Sequence, residues 1–170
     1  KKLIHAKSTQ DAGELKCAQI LADFFKTAGL KPKIDIWNKN RANITASLKS
    51  KGEKPGILFV GHLDVVPADN DDMFRPIERD GKIFGRGACD MKGGLAAAAA
   101  AIAEIAKSNA ELKGDIIFSA TAGEETDSSG ILKFTKSFKN KNLYGIIVPE
   151  PTGFDLVTAH RGLLWIQITT

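Results

Sequence analysis

Three apolar segments, each leading into a histidine or glutamates, constrain the fold of this chain more than any other feature. They are residues 56–61, followed by His62; residues 115–121, followed by Glu124 and Glu125; and residues 144–148, followed by Glu150. Continuous apolar runs of this length are typical of strands buried on both faces of a sheet. Helical patterns lie between them, and this alternation predicts an α/β fold with three layers, α/β/α, around a central, mostly parallel mixed sheet.

The remaining segments fit the same architecture. A helix is predicted from a cap at Asp11 to about Gly29, because apolar residues recur there at helical spacing. Other predicted elements are strands at 33–37 and 43–48, a short hairpin around Asp80-Gly81 in the loop 67–87, an alanine-rich helix at 92–107, and a helix capped by Ser128 or Ser129.

Composition excludes several classes of function. The net charge of +4 comes from scattered lysines, and no basic run is interleaved with aromatic residues, so nucleic acid binding is not expected. No run of 18 apolar residues predicts a membrane span, and no signal-peptide pattern opens the chain. Two cysteines do not make a disulfide framework, which favours a reducing, cytoplasmic compartment. The length of 170 residues suits one domain.

Ligands of open α/β sheets gather beyond the carboxyl ends of the strands, where the histidine and glutamates fall. One imidazole and several carboxylates are the ligand set of a two-metal hydrolytic site. His62 is a candidate ligand, and the carboxylate of Asp64, two residues on, is placed to accept the second ring N–H. The alternative is a structural histidine at a strand end.

Asp90 lies in a glycine-rich segment before a predicted helix, so its two oxygens are placed to bridge two ions. A dinucleotide fingerprint does not fit, because Asp90 stands where a third glycine belongs. A simple helix cap remains an alternative. Neighbouring side chains of an extended chain point in opposite directions, so we interpret Cys89 as a packing residue and not as a ligand.

Adjacent carboxylates at Glu124 and Glu125 repel each other unless a cation lies nearby. One of the pair would bind metal, and the other would take a proton from an activated water. Solvated loop acids are the alternative. Glu150 lies between Pro149 and Pro151, in a rigid extended turn that suits a ligand.

The motifs, in the order in which they occur along the chain, resemble those of the co-catalytic zinc metallohydrolases. This is the family of succinyl-diaminopimelate desuccinylase, acetylornithine deacetylase, the aminoacylases and the glutamate carboxypeptidases. The motifs that carry the resemblance are Gly61-His62-Leu63-Asp64, Gly85-Arg86-Gly87-x-x-Asp90-Met91-Lys92-Gly93-Gly94, Glu124-Glu125 and Glu150-Pro151-Thr152. The resemblance implies a zinc-exopeptidase-like fold and two divalent ions, most simply zinc, with cobalt or manganese as alternatives.

The resemblance also implies a role for each site residue. The implied roles are His62 and Glu150 on one ion, Asp90 as a bridge with a cis peptide bond to Met91, Glu125 on the second ion, Glu124 as general base, and Asp64 orienting His62. The implied reaction is hydrolysis of an amide bond in an N-acyl amino acid, N-succinyl or N-acetyl, such as succinyl-diaminopimelate or acetylornithine. The alternatives are a dipeptidase or carboxypeptidase, or a metal-binding fragment without catalysis.

Members of the family continue into an inserted dimerisation domain, and the later part of their catalytic domain supplies a further histidine to the second zinc. We therefore expect residues 1–160 to be the N-terminal part of a catalytic domain, and residues 161–170 to be a strand leading towards an absent dimerisation domain. His160 falls at this junction and is not assigned to metal. The fold is expected to be truncated, the chain as given inactive, and the full-length protein a homodimer.

Overall fold

The computed structural model describes residues 1–108, 110–139, 142–159 and 162. Its helices are α1 (Lys2–His5), α2 (Leu15–Thr27), α3 (Gly94–Lys107) and α4 (Ser129–Ser137). Its strands are β1 (Lys33–Trp37), β2 (Arg41–Leu48), β3 (Gly56–His62), β4 (Ile77–Arg79), β5 (Lys82–Phe84), β6 (Ile116–Thr121) and β7 (Leu143–Ile147). A short 3-10 turn spans Asp71–Phe74, and a kinked helical segment, Ala88–Gly93, leads into α3.

Five of the strands form one mixed sheet in the order β1-β2-β6-β3-β7. Strand β3 runs parallel to both β6 and β7, whereas β2 is antiparallel to both of its neighbours. Four of the five strands therefore point the same way, as predicted. The other two, β4 and β5, form the predicted hairpin around Asp80-Gly81.

The helices cover both faces of the sheet, which confirms the three-layer prediction. On one face α2 and α3 pack over the larger core, where the ring of Phe25 meets Phe118 edge-on at 5.0 Å between centroids. On the other face α4 places Phe134 against Leu58 and Ile117. The alanines of α3 allow this helix to lie close to the sheet, and Ala98 and Ala99 are both buried. No helix among the described residues is both long and apolar enough to cross a bilayer.

Two helix starts differ from prediction. Helix α2 begins at Leu15, so Asp11 lies outside it and does not cap it. At α4 neither predicted serine caps with its side chain; the carboxylate of Asp127 accepts a hydrogen bond from the Ser129 N–H at 3.0 Å. An aspartate side chain offers a stronger acceptor to a helix amino end than a serine hydroxyl does.

Two burial predictions are wrong. Strand β7 was expected to be buried, but it lies at the edge of the described sheet, and Tyr144 is 84% exposed. Cys89 is predicted to pack in the interior, but it is exposed, although Met91 and Lys92 of the same kinked segment are buried. The predicted final strand at 161–170, apart from Gly162, and His160 lie outside the described residues.

Replacing Asp127 with alanine is expected to destabilise the protein by about 0.5–2 kcal/mol, the usual cost of losing a helix cap. The substitution removes the acceptor for Ser129 and two contacts of 3.4 Å with the guanidinium of Arg41. Urea unfolding measures the difference. Asp11→Ala is the matched control, because Asp11 is exposed and lies outside α2. An equal loss in both variants would contradict the assignment of the cap to Asp127.

Candidate metal centre

Three strands of the sheet deliver acidic or imidazole side chains to one edge. Strand β3 ends at His62, β6 leads into Glu124 and Glu125, and β7 leads into Glu150. Because these strands are parallel neighbours, their carboxyl ends meet at the same edge. Asp90 joins them from the kinked segment before α3. The structure therefore brings all five predicted ligand or base positions into one cluster.

His62 lies at the centre of this cluster. Its Nε2 is 3.0 Å from Oδ1 of Asp90, 3.7 Å from Oε1 of Glu150 and 3.9 Å from Oε2 of Glu124. Two sets of side chains each place one ligand atom per residue within 4.8 Å of the others: His62, Asp90 and Glu150; and His62, Glu124 and Glu125. The imidazole itself is only 2% exposed, so its orientation is fixed by its surroundings.

The other ring nitrogen of His62 determines which tautomer faces the carboxylates. Nδ1 lies 3.0 Å from the carbonyl oxygen of Asp64 and 3.5 Å from its Oδ1. The nearest acceptor is therefore the backbone carbonyl, and not the carboxylate that the sequence suggested. A proton held on Nδ1 leaves the Nε2 lone pair directed at the cluster, which is the tautomer a metal ligand needs.

The carboxylate of Asp64 instead holds the glutamate pair. It is buried, and its two oxygens accept hydrogen bonds from the backbone N–H groups of Glu124 at 3.1 Å and Glu125 at 3.0 Å. Sixty residues separate these partners, so no local pattern in the sequence could reveal the contact. One buried residue thus fixes His62 through its backbone carbonyl and the glutamates through its side-chain carboxylate.

Charges in the cluster shift the proton affinities of His62 and Asp64. Burial alone would lower the pKa of His62, but the hydrogen bond and charge of Asp64, with further help from Glu150 and Asp90, raise it to about 9. Burial would raise the pKa of Asp64, but His62 and the two backbone N–H groups hold it below its usual value. Without another cation, the imidazole therefore carries the positive charge that balances the acids.

Crowding of the acids is visible in the pKa values of the glutamates. Burial, and then the charges of Asp90 and Glu124, raise the pKa of Glu150 to about 7 against the opposing charge of His62. Burial and Asp90 also raise the pKa of Glu125. A divalent cation would remove this repulsion, and a set of one imidazole and several carboxylate oxygens suits zinc and similar ions. The side chains present thus fit a metal site.

The backbone around Asp90 has two special features, a close approach at Gly94 and a cis peptide bond. A Cβ on Gly94 would lie 2.0 Å from the carbonyl oxygen of Pro149, so glycine lets the start of α3 approach the segment that carries Glu150. The Asp90–Met91 peptide bond is cis, as the resemblance implied. Asp90 does not cap α3 with its side chain, which rules out the simplest alternative for it.

The sequence did not predict that this segment contains a buried lysine. Lys92 is 2% exposed, and its ammonium group donates to the carbonyl oxygens of Leu3 at 2.8 Å and Ala6 at 3.1 Å. Ser8 makes a similar tie, since its hydroxyl donates to the carbonyl oxygen of Leu63 at 2.8 Å. The first residues of the chain are therefore hydrogen-bonded to both the segment that carries His62 and the segment that carries Asp90.

Known proteins match the part of the chain that carries the cluster. The sequence profile of the peptidase family M20/M25/M40 matches residues 58–160. A probable succinyl-diaminopimelate desuccinylase from Staphylococcus aureus is 34% identical over 166 residues, which are 95% of this chain. The chain spans 40% of the length of that relative.

Solved structures share the fold. Human carnosine dipeptidase 1 superposes with a TM-score of 0.72 over 87% of this chain and 36% of its own, at 24% identity. The Bacillus subtilis YXEP protein, described as a dinuclear metal binding peptidase of the M20 family, gives 0.62 over 85% of this chain and 39% of its own, at 17% identity. The extent of the profile match, which takes in every residue of the cluster, establishes that this chain belongs to the peptidase family M20/M25/M40.

Proposed function

We propose that the full-length protein is a metal-dependent amide hydrolase whose two ions lie at the His62 cluster. The observation that carries the proposal is the meeting of one buried imidazole and four carboxylates at the carboxyl ends of three parallel strands. In a chain of the M20/M25/M40 family, this arrangement is where hydrolytic chemistry would take place.

The two ions would share Asp90 and differ in their other ligands. His62, Asp90 and Glu150 would hold the first, since their ligand atoms already lie within 4.8 Å of one another. Asp90 and Glu125 would hold the second, with Asp90 as the bridge. Zinc suits this mixture of nitrogen and oxygen donors, and cobalt or manganese are the alternatives.

Glu124 would be the general base. Its side chain is 55% exposed and its Oε2 is 3.9 Å from Nε2 of His62, so the carboxylate faces solvent at the edge of the cluster. When bound, divalent ions supply polarisation of the scissile carbonyl and a more acidic water. Glu124 would accept the proton of that water and pass it to the leaving amine. The hydrogen bond from the Glu124 N–H to Asp64 fixes the backbone from which this carboxylate reaches the substrate.

The substrate class proposed is an N-acyl amino acid with a free carboxylate, N-succinyl or N-acetyl. The resemblance to a probable succinyl-diaminopimelate desuccinylase supports it. A dipeptide is the second candidate, because the matching family is described as a peptidase family. We also propose that the full-length protein is a homodimer in the cytoplasm; Cys17 and Cys89 are both free thiols, which suits a reducing compartment.

Hydrolysis by the full-length protein tests the proposal. The protein is stripped with a chelator, reloaded with zinc, and assayed against N-succinyl-diaminopimelate, acetylornithine, other N-acyl amino acids and dipeptides. We expect turnover of an N-acyl amino acid that disappears in the chelated protein and returns with zinc. A zinc-loaded, folded protein that cleaves no member of this panel would contradict the proposal.

Zinc binding is expected to release protons in numbers that depend on pH. The pKa of His62 is about 9 and that of Glu150 about 7, and both groups must lose a proton to act as ligands. About two protons per first zinc should therefore be released near pH 6, about one near pH 8, about half of one at pH 9, and almost none from these groups above about pH 10. Calorimetry in buffers of different ionisation enthalpy measures the count. A count independent of pH would show that these two groups are not ligands.

A further inference from the structure

Asn43 of β2 closes the loop that carries the two glutamates. This side chain is 3% exposed and lies on the sheet face covered by α4. Its Nδ2 donates to the carbonyl oxygen of Gly130 at 2.8 Å, and its Oδ1 accepts from the N–H of Ala122 at 3.0 Å. The carboxamide of Asn43 is therefore hydrogen-bonded to both ends of the loop 122–130.

The two ends of the loop are also joined directly. The Gly130 N–H donates to the carbonyl oxygen of Ala122 at 2.9 Å, so Ala122, Gly130 and Asn43 form a closed ring of three hydrogen bonds, which we call the neck. A Cβ on Gly130 would lie 2.2 Å from the nitrogen of Ala122, so only glycine allows the ends to come this close.

Hydrogen bonds within the loop make the part beyond the neck compact. The carbonyl oxygen of Gly123 accepts from the N–H groups of Asp127 at 3.0 Å and Ser128 at 2.6 Å, which folds residues 123–128 into a compact turn. Glu124 and Glu125 lie inside this turn. A change in the position of the neck is thus carried directly to both carboxylates.

Asparagine meets the requirements of the neck, because it offers a donor and an acceptor on separate atoms. The site needs one donor and one acceptor on a short side chain in a place closed to water. Aspartate would bring a negative oxygen against the carbonyl oxygen of Gly130, and an apolar residue would leave a buried N–H and a buried C=O without partners. The contact therefore holds the loop that carries the glutamates, and does not serve to stabilise the strand.

We infer that Asn43 is a positioning residue: by closing the neck, it sets where Glu124 and Glu125 lie relative to His62. The inference rests on the proposed function for the roles of the two glutamates. The Asp64 carboxylate holds the same pair from the opposite side, through the N–H groups of Glu124 and Glu125. Two buried side chains therefore fix the pair, Asn43 on β2 and Asp64 just after the end of β3.

Full-length Asn43→Asp tests this inference. Its kcat on the panel substrate should fall about ten- to a hundredfold, since a displacement of about 1 Å can cost that much, while KM changes by less than about threefold. Amide hydrogen exchange over residues 122–130 should become at least about tenfold faster, and exchange in β1 should not change. Thr45→Val is the matched control: Thr45 lies on the same face of the same strand and makes no hydrogen bond to the loop.

If Asn43→Asp does not fold, Asn43→Ser replaces it, because a hydroxyl keeps a donor and an acceptor at this position but is too short to reach both Ala122 and Gly130; the same signature, in weaker form, is expected. A folded variant with kcat within about twofold of wild type overturns the inference, and so does a fall in kcat without faster exchange in the loop. If the wild-type protein cleaves no panel substrate, the proposed function fails, and the exchange measurement still decides whether Asn43 closes the neck.

Discussion

Glu124→Gln in the full-length protein is expected to lower kcat by about a hundred- to ten-thousandfold, the usual contribution of a general base. The amide keeps the size and hydrogen-bonding oxygen of the carboxylate but cannot accept a proton from water. Metal content should stay at the wild-type value, because the proposed ligands His62, Asp90, Glu125 and Glu150 are untouched. Elemental analysis of the purified variant and a progress curve at saturating substrate give the two quantities.

Two further substitutions make this result specific. Glu125→Gln should lose the second ion, so adding excess zinc should partly restore its activity, whereas zinc should not restore Glu124→Gln. Glu104→Gln is the matched control, since Glu104 is exposed and pairs with Lys107 at the far end of α3. Loss of zinc from Glu124→Gln with zinc retained in Glu125→Gln would mean that the two roles are exchanged. Full turnover by Glu124→Gln would remove it from catalysis.

The sequence predicted the parts of the site that depend on strand order and polarity. Apolar runs identified β3, β6 and most of β7. Because the carboxyl ends of neighbouring parallel strands lie at the same edge of a sheet, the meeting of His62, Glu124 and Glu150 could be expected from the sequence alone. Asp90 could be placed near them only through the resemblance, because its segment is neither strand nor regular helix.

Long-range hydrogen bonds of buried polar groups could not be predicted in this way. Asn43 looks like any polar residue that alternates along a half-buried strand, and Lys92 like one more surface lysine of a basic chain. Their partners lie 79 to 89 residues away in sequence. Strand β7 was misjudged for a related reason: an apolar run indicates a strand, but the position of that strand in the sheet determines whether both of its faces are covered.

Asp64→Asn is expected to damage metal binding and catalysis together. Asp64 contacts His62 on one side and the N–H groups of Glu124 and Glu125 on the other. The variant keeps the backbone carbonyl that lies nearest to Nδ1 of His62 but loses the carboxylate charge beside it, so we expect metal affinity to fall about tenfold, the lower end of the range for losing an orienting group. The carboxamide also turns an N–H towards one of the two backbone N–H groups, so the glutamate pair should move and kcat should fall by about a further ten- to a hundredfold at saturating zinc.

An opposing effect determines the pH at which this variant should be measured. The charge of Asp64 helps to raise the pKa of His62 to about 9, so its removal lowers that pKa and reduces competition between protons and zinc at neutral pH. At pH 7 this gain offsets part of the loss in affinity. At pH 9 about half of the wild-type imidazole is already deprotonated, so protons weaken zinc binding only about twofold and most of the loss of orientation should appear. Zinc affinities from chelator competition at both pH values test this difference. Equal affinities of variant and wild type at pH 9 would show that the carboxylate of Asp64 does not help to orient His62, whereas a deficit larger at pH 9 than at pH 7 is the result that its two contacts predict.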